Sequence, residues 1–381
     1  MLDKERRIEV LEDDAGHRRA LNLKAGEWVE VRSREEILAT LDKNGCLENM
    51  PFMPEMFAFC GQRFQVYKRA HKTCDTIFPV RGRRVNAAVH LETRCDGQAH
   101  GGCQAGCLIF WKEAWLKPIS GNSPENASPG ARAHSGDIGA PSAGCTESEV
   151  WAHAQTSAAD GEAPVYTCQA TRLPWATTHL GPWDLRQYFE DYWSGNVGLW
   201  RILCGLVYCT YHNLSEAGLG LGAAMRWLYD KFHPLWRGTL FPRNSGCIPR
   251  GGPTPAATLN LRPGELVRVK SHEEILRTVD IDSRNRGMIW DAEMVPYCGG
   301  TYRVLKRVTK IINEKTGRMQ EMKNPCIILE SVVCEARYSN CRMFCPRSIY
   351  PYWREIWLER VQSSASNAGN QEIAQPALSQ H

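Results

Sequence analysis

No stretch of this chain is apolar for long enough to cross a bilayer. Its best candidate, VGLWRILCGLVYC from Val197, contains Arg201 and falls short of the roughly twenty residues that a spanning helix needs. Excess charge is also scarce: a net +4 is too small to nominate a polyanionic partner from composition alone. The amino terminus, MLDKERRIEVLEDDAGHRRA, lacks the apolar core and small-residue cleavage site of a secretory leader, so a cytoplasmic location is expected. No paired acid and base, phosphate-binding loop or nucleophile motif stands out, and paired C-x-x-C knuckles are missing. Cysteine, by contrast, is abundant, with 16 in 381 residues. In a reducing compartment, where disulfides are rare, such a number points to metal ligation or thiol chemistry. Cys204 and Cys209, inside the apolar run, read instead as small buried hydrophobes.

The chain repeats itself. LNLKAGEWVEVRSREEILATLD from Leu21 returns as LNLRPGELVRVKSHEEILRTVD from Leu259, and residues 21–74 and 259–312 share 23 identities in 54 positions. The match resumes with LETRC and FWKEAWL in copy one, answered by LESVVC and YWREIWL in copy two. Each copy opens on an alternating strand, Trp28 to Val31 or Leu266 to Val269, followed by a capping box, Ser33 with Glu36 or Ser271 with Glu274. Longer strands are predicted over 63–73 and 85–95, and over 301–312 and 325–334, around the turns FPVRG and NEKTGR. The fold class is α+β, mainly β: two related small β-barrel-like modules of SH3-like type, separated by a flexible linker and an α-helical segment.

The predicted organisation is a charged segment over 1–20, module one over 21–119, a Gly/Ser/Ala/Pro-rich flexible linker over 120–164 and an aromatic helical segment over 165–250. Module two spans 251–361, and a disordered tail covers 362–381. Within the central segment a buried helical hairpin is expected. Its Trp200, Arg201, Arg226 and Trp227 leave peripheral membrane contact through 197–236 as the alternative.

With a duplicated chain, the two copies can be compared with each other. Both keep a cluster of three cysteines, Cys95, Cys103 and Cys107 in copy one and Cys334, Cys341 and Cys345 in copy two. A closed tetrahedral site needs a fourth ligand. If the two long strands of each copy pair as a hairpin, Cys60 and Cys298, kept at the same offset, fall near the open end beside these clusters. Cys74 would lie about 30 Å away at the turn, and it aligns with Ile312. The expected metal sets are therefore Cys60, Cys95, Cys103 and Cys107, and Cys298, Cys334, Cys341 and Cys345. Four thiolates suit structural zinc first and an iron–sulfur cluster second; the third reading has no metal.

Glu55 and Glu293 also recur, as do Trp111, Glu113 and Trp115 in the form of Trp353, Glu355 and Trp357. The tryptophans read as core. Glu113 and Glu355 read as outward-facing strand residues, and Glu55 or Glu293 as a buried partner for the retained Lys68–Arg69 and Lys306–Arg307 pairs. Asp96, His100 and Cys103 form the best candidate catalytic set. Arg268, Lys270, Arg303, Lys306, Arg307 and Lys310 make copy two basic enough to raise single-stranded nucleic acid as a partner. The strings PEMFAFCG, HGGCQAGCLIFWKEAWL and CPRSIYPYWREIWLERV, with CQATRLPW from Cys168, resemble a bacterial family with a paired cysteine- and tryptophan-rich arrangement, and that resemblance brings no activity with it. The function expected is a zinc-stabilised scaffold or accessory protein that binds a protein partner. An iron–sulfur redox protein or metalloenzyme, and a nucleic-acid-binding module, are the alternatives.

Overall fold

A computed structural model describes residues 21–77, 82–119, 144–156, 163–217, 220–233, 240–340 and 342–361. The charged first segment, the tail after Val361, residues 120–143 of the linker and Cys341 lie outside the described residues.

Each module is built from its first strand outward. Val29 and Val31 are buried, as are Val267 and Val269, so alternation aims one face of each strand at the core. The capping boxes form as expected: Ser33 accepts from the Glu36 N–H and Ser271 from the Glu274 N–H, starting the helices Arg34–Leu38 and His272–Leu276. In module one an antiparallel sheet runs in the order Leu108–Lys112, Ala88–Arg94, Arg63–Arg69, Trp28–Val31, Leu116–Pro118. Module two keeps the order Met319–Leu329, Thr301–Ile312, Leu266–Val269, Leu358–Arg360. Its fifth strand is reduced to a single bridge between Ile327 and Trp353. Val66 pairs with Leu91 and Val304 with Leu329, the same register in both copies. The sheets curl into half-barrels, giving an α+β chain with two β-barrel-like modules.

The cores repeat as well. In module one Trp115 stacks edge-on against Phe52 at 5.2 Å, and its Nε1 donates to Thr40 Oγ1. In module two Trp357 stacks edge-on against Trp290 at 5.3 Å and donates to Thr278 Oγ1. A threonine acceptor at the same place in each copy lets an indole be fully buried without losing its hydrogen bond.

The retained glutamates differ from expectation. Glu113 and Glu355 do not face outward; they open the 3-10 turns Glu113–Trp115 and Glu355–Trp357 and are buried. Glu113 accepts the backbone N–H groups of Asn22 and Leu23, and Glu355 those of Leu259 and Leu261. These carboxylates, not Glu55 or Glu293, take the retained arginines, Arg69 at 3.9 Å and Arg307 at 2.7 Å. Burial is possible because each carboxylate is satisfied by N–H donors and a cation.

Three other expectations change. The hairpin of module one is interrupted: Lys72–Cys74 and Gly82–Arg84 leave the main sheet and join Thr178–Leu180 in a separate three-stranded sheet. Part of the expected linker is helical over Glu147–Ala154, where Thr146 and Glu149 form a capping box and Val150 and Ala154 are buried. The central helices Leu199–Glu216 and Gly222–Phe232 do contact each other, but they are not a buried hairpin. Trp200 is 75% exposed and Trp227 60%. Among the described residues no helix is long and apolar enough to cross a membrane.

His90 in Ala88–Arg94 gives a test of the module-one core. It is wholly buried against Phe110, with Nδ1 placed 2.8 Å from the Ile109 carbonyl oxygen and Nε2 without a partner. Burial, only partly offset by the Ile109 bond, pushes its pKa down to about 3. Between the ordinary value near 6.5 and about 3 the unfolded chain takes up a proton that the folded chain refuses. The stability His90 confers is therefore complete above that ordinary value and is lost as pH falls, by up to ~1.4 kcal/mol per pH unit. His90→Asn should flatten the acid limb of a denaturant-midpoint profile; an unchanged slope would place the acid sensitivity elsewhere.

Candidate metal centre

The cysteine loop of module one is shaped by its backbone. Cys95 follows the strand Ala88–Arg94 and its N–H donates to the Cys107 carbonyl, so the two cysteines face each other just beyond the paired strands. Between them the chain makes a 3-10 turn, Gln98–His100, and curls back on Gly97, whose φ is +76°. A Cβ on Gly97 would come within 2.1 Å of the Cys103 carbonyl oxygen, so the position requires glycine. The helix Gln169–Ala176 then lays Cys168, its N-cap, over the loop. The result is a small cavity, about 30 Å³, lined by Cys95, Cys103, Cys107 and Cys168 together with His100 and Ile312. That space suits one ion or one or two waters.

Glu55 anchors the loop. Its Oε1 accepts from His100 Nδ1 at 2.7 Å, from the Ala99 N–H at 3.1 Å and from the Cys95 thiol at 3.8 Å. Glu55, Cys95 and His100 are the one set among the described residues whose donor atoms all lie within 4.8 Å of one another. Yet His100 is engaged at both ring nitrogens, since Nε2 lies 3.0 Å from the Thr167 carbonyl oxygen. Both ring nitrogens thus face oxygen acceptors, which holds the ring between Glu55 and the Thr167 carbonyl. Burial pushes the Glu55 carboxyl up, but the hydrogen bond and charge of His100 outweigh it and hold the group below its usual range. The pair is therefore a clamp that positions the cysteines. In module two Glu293 does the same work with other donors, accepting the N–H groups of Arg337 and Tyr338 and the Ser339 hydroxyl.

Burial pushes the thiols up: Cys107 to about 12, Cys168 to about 11 and Cys95 further, with Glu55 adding to the last. Thiolates there need a cation beside them. Arg347, itself buried, reaches the cavity wall and pairs with Glu314 at 3.2 Å. Burial alone would lower Arg347, but Glu314 and the neighbouring thiols Cys74, Cys107 and Cys345 raise it, so it stays charged.

The loop is also sealed by module two. The N–H of Ile312 donates to Cys103 Sγ at 3.4 Å, Lys310 Nζ to the Gly101 carbonyl at 2.8 Å, and the Gln104 N–H to the Lys310 carbonyl at 3.1 Å. An N–H bonded to sulfur is the outer-shell support that a metal thiolate uses.

Of the cysteines expected together, the structure brings Cys95, Cys103 and Cys107 to this cavity and does not bring Cys60. Cys60 caps the 3-10 helix Pro54–Phe59, where the chain turns through Gly61 at φ +74°, and its neighbours include Arg34, Glu35 and Glu147. Extending the straight strand to residue 60 ignored that turn. Cys298 caps the matching helix Ala292–Tyr297 and packs with the module-two core, while Cys334 and Cys345 lie in a separate cluster with Cys74. Sequence comparison missed Cys168 and Cys74 because neither has a cysteine at the 238-residue offset. The candidate catalytic set does not converge: Asp96 accepts the N–H of Gln98 in its own turn, while His100 points to Glu55 and Thr167.

No family model, curated protein or solved structure matches the chain.

Proposed function

We propose that the chain is a zinc-stabilised scaffold or accessory protein, whose first SH3-like module holds the metal through Cys95, Cys103, Cys107 and Cys168. The observation that carries this reading is that four cysteines, from the two strand ends, the loop between them and a helix N-cap, line one ion-sized cavity; no three of their sulfurs lie within 4.8 Å of one another, so binding would draw them inward. Zinc bound by four thiolates leaves a net negative centre, and the buried Arg347 offsets that charge. Four protein ligands leave no open position for water, so such a metal stabilises the fold and activates no nucleophile. An iron–sulfur cluster uses the same donors and is distinguished by iron and sulfide in the purified protein. Free thiols throughout the described residues suit a reducing compartment, here the cytoplasm.

We propose a protein partner at the aromatic central segment, where Trp183, Phe189, Trp193, Trp200 and Trp227 are all exposed. Arg201 pairs with Glu335, which withdraws it from lipid headgroups. The basic set of module two is similarly engaged, Arg268 with Glu359, Arg303 with Glu330 and Arg307 with Glu355, which weakens the nucleic-acid reading.

The test is cobalt titration of the reduced apoprotein. The native chain should give an intense thiolate-to-metal charge-transfer band, and Cys168→Ser should weaken cobalt binding at least ~10-fold. The same loss in Cys60→Ser, with Cys168→Ser unaffected, would contradict the assignment.

A further inference from the structure

The two modules meet at their cysteine loops, and the contact is reciprocal. Ile312, at the end of Thr301–Ile312, gives its N–H to Cys103 Sγ at 3.4 Å. The module-one residue at the matching offset is Cys74, at the end of Lys72–Cys74, and it gives its N–H to Cys345 Sγ at 3.1 Å. The second contact therefore has a thiol where the first has an isoleucine side chain. The Cys74 thiol itself hydrogen-bonds with the Cys345 sulfur, and the Arg347 backbone N–H gives that sulfur a further donor. Both cysteines are 6% exposed.

We infer that Cys74 and Cys345 are a peroxide-oxidisable pair that closes to a disulfide between the two modules. Nothing in this pair depends on the zinc reading. Cysteines 271 residues apart in sequence are joined at one sulfur by a backbone and a side-chain hydrogen bond, so a disulfide asks only for adjustment of the two side chains. The Cys345 sulfur is also furnished as a nucleophile. Burial alone raises a thiol, as at Cys298, which it pushes up to about 12. At Cys345 the hydrogen bond from Cys74 outweighs burial, and with the N–H and charge of Arg347 it brings the thiol below its ordinary value. The slight exposure of the pair admits a molecule near the size of water and keeps out bulky disulfides, which selects hydrogen peroxide as the oxidant.

The Cys345 thiolate attacks one peroxide oxygen and breaks the O–O bond, leaving a sulfenic acid and a hydroxide that takes up the Cys345 proton as water. The Cys74 sulfur then attacks the Cys345 sulfur, the S–O bond breaks, and the oxygen leaves as water with the Cys74 proton. Two thiols and one peroxide become one disulfide and two waters, the sulfurs giving up two electrons. The bond would tie the strand Lys72–Cys74 to the cysteine loop of module two. In a reducing compartment such a bond is transient, as a redox sensor requires.

The test treats the reduced full chain, purified with zinc, with a slight excess of hydrogen peroxide, blocks the remaining thiols in denaturant and maps disulfides by mass spectrometry. The Cys74–Cys345 bond should appear first, at least ~10-fold faster than Cys298 is oxidised, and a dithiol should reverse it. In Cys74→Ser the sulfenic acid has no second thiol to meet, so Cys345 should go on to the sulfinic acid. Should that variant not fold, the native map decides by itself. Cys345 bonded to Cys334 instead, or oxidised no faster than Cys298, overturns the pair. Zinc content of the same samples keeps the two readings apart. Disulfides confined to Cys95, Cys103, Cys107 and Cys168, with release of zinc, overturn the pair and uphold the zinc reading. A chain that holds no zinc yet closes Cys74–Cys345 upholds the pair and overturns the zinc reading.

Discussion

Removing zinc with a membrane-impermeant chelator under reducing conditions should lower the melting temperature by about 10 °C. An ion held at a thousandfold excess over its dissociation constant contributes roughly 4 kcal/mol, and for a cooperative unit of about 150–250 residues, such as module one with the segment packed on it, each kcal/mol shifts the midpoint by roughly 2–4 °C. The β-sheet cores, with Trp115 and Trp357 at their centres, do not depend on the ion, so the far-ultraviolet circular dichroism at 25 °C should change little. The cysteine loop 95–107 and the helix Gln169–Ala176 that closes it should lose protection from hydrogen exchange. Differential scanning calorimetry before and after chelation, followed by zinc repletion, checks this. A midpoint that does not move leaves the cysteines as ordinary packing residues.

Trp357→Ala should destabilise module two by about 3–5 kcal/mol, the range for emptying a large buried aromatic site. The side chain is fully buried, stacks edge-on against Trp290 and donates its Nε1 proton to Thr278 Oγ1. The neighbouring Glu355 clamp should loosen with it, since both residues belong to one 3-10 turn. Trp357→Phe keeps most of the apolar area and should recover more than half of the loss. Urea denaturation followed by tryptophan fluorescence separates the two variants, and a loss under 1 kcal/mol for the alanine change would mean that this core collapses around the cavity.

Much of the fold was legible because it is encoded locally. The capping boxes at Ser33 and Ser271, the alternation at Val29 and Val31, and the duplication itself all require only neighbouring residues or a second copy to read. The pairing of the long strands followed from the same repeat. What escaped depends on tertiary encounters. Glu113 and Glu355 look like solvated strand residues until the leading segments at Asn22 and Leu261 bring their N–H groups to them. The break in the hairpin after Arg69 depends on Thr178–Leu180, a strand from another part of the chain that claims Gly82–Arg84. The cysteine cluster was half visible. Each copy holds a cluster of three cysteines, but in the fold Ile349 takes the place of Cys107, and a comparison of copies can nominate only residues that both copies hold. Cys168 is outside the repeat and Cys74 faces isoleucine at its own offset, so the signal that favoured Cys60 was silent for both. The CQATRLPW string was the one available pointer to Cys168. His100 was read with Asp96 and Cys103 as a candidate catalytic set; only the fold shows that its ring is held between Glu55 and the Thr167 carbonyl.

The central claim is that buried cysteines of this chain hold metal, and elemental analysis of unmodified protein purified without oxygen tests it most directly. A colourless protein with one zinc ion per chain is the predicted result. A chain free of zinc and iron after anaerobic purification in metal-supplemented medium, with its thiols all titratable, would contradict it.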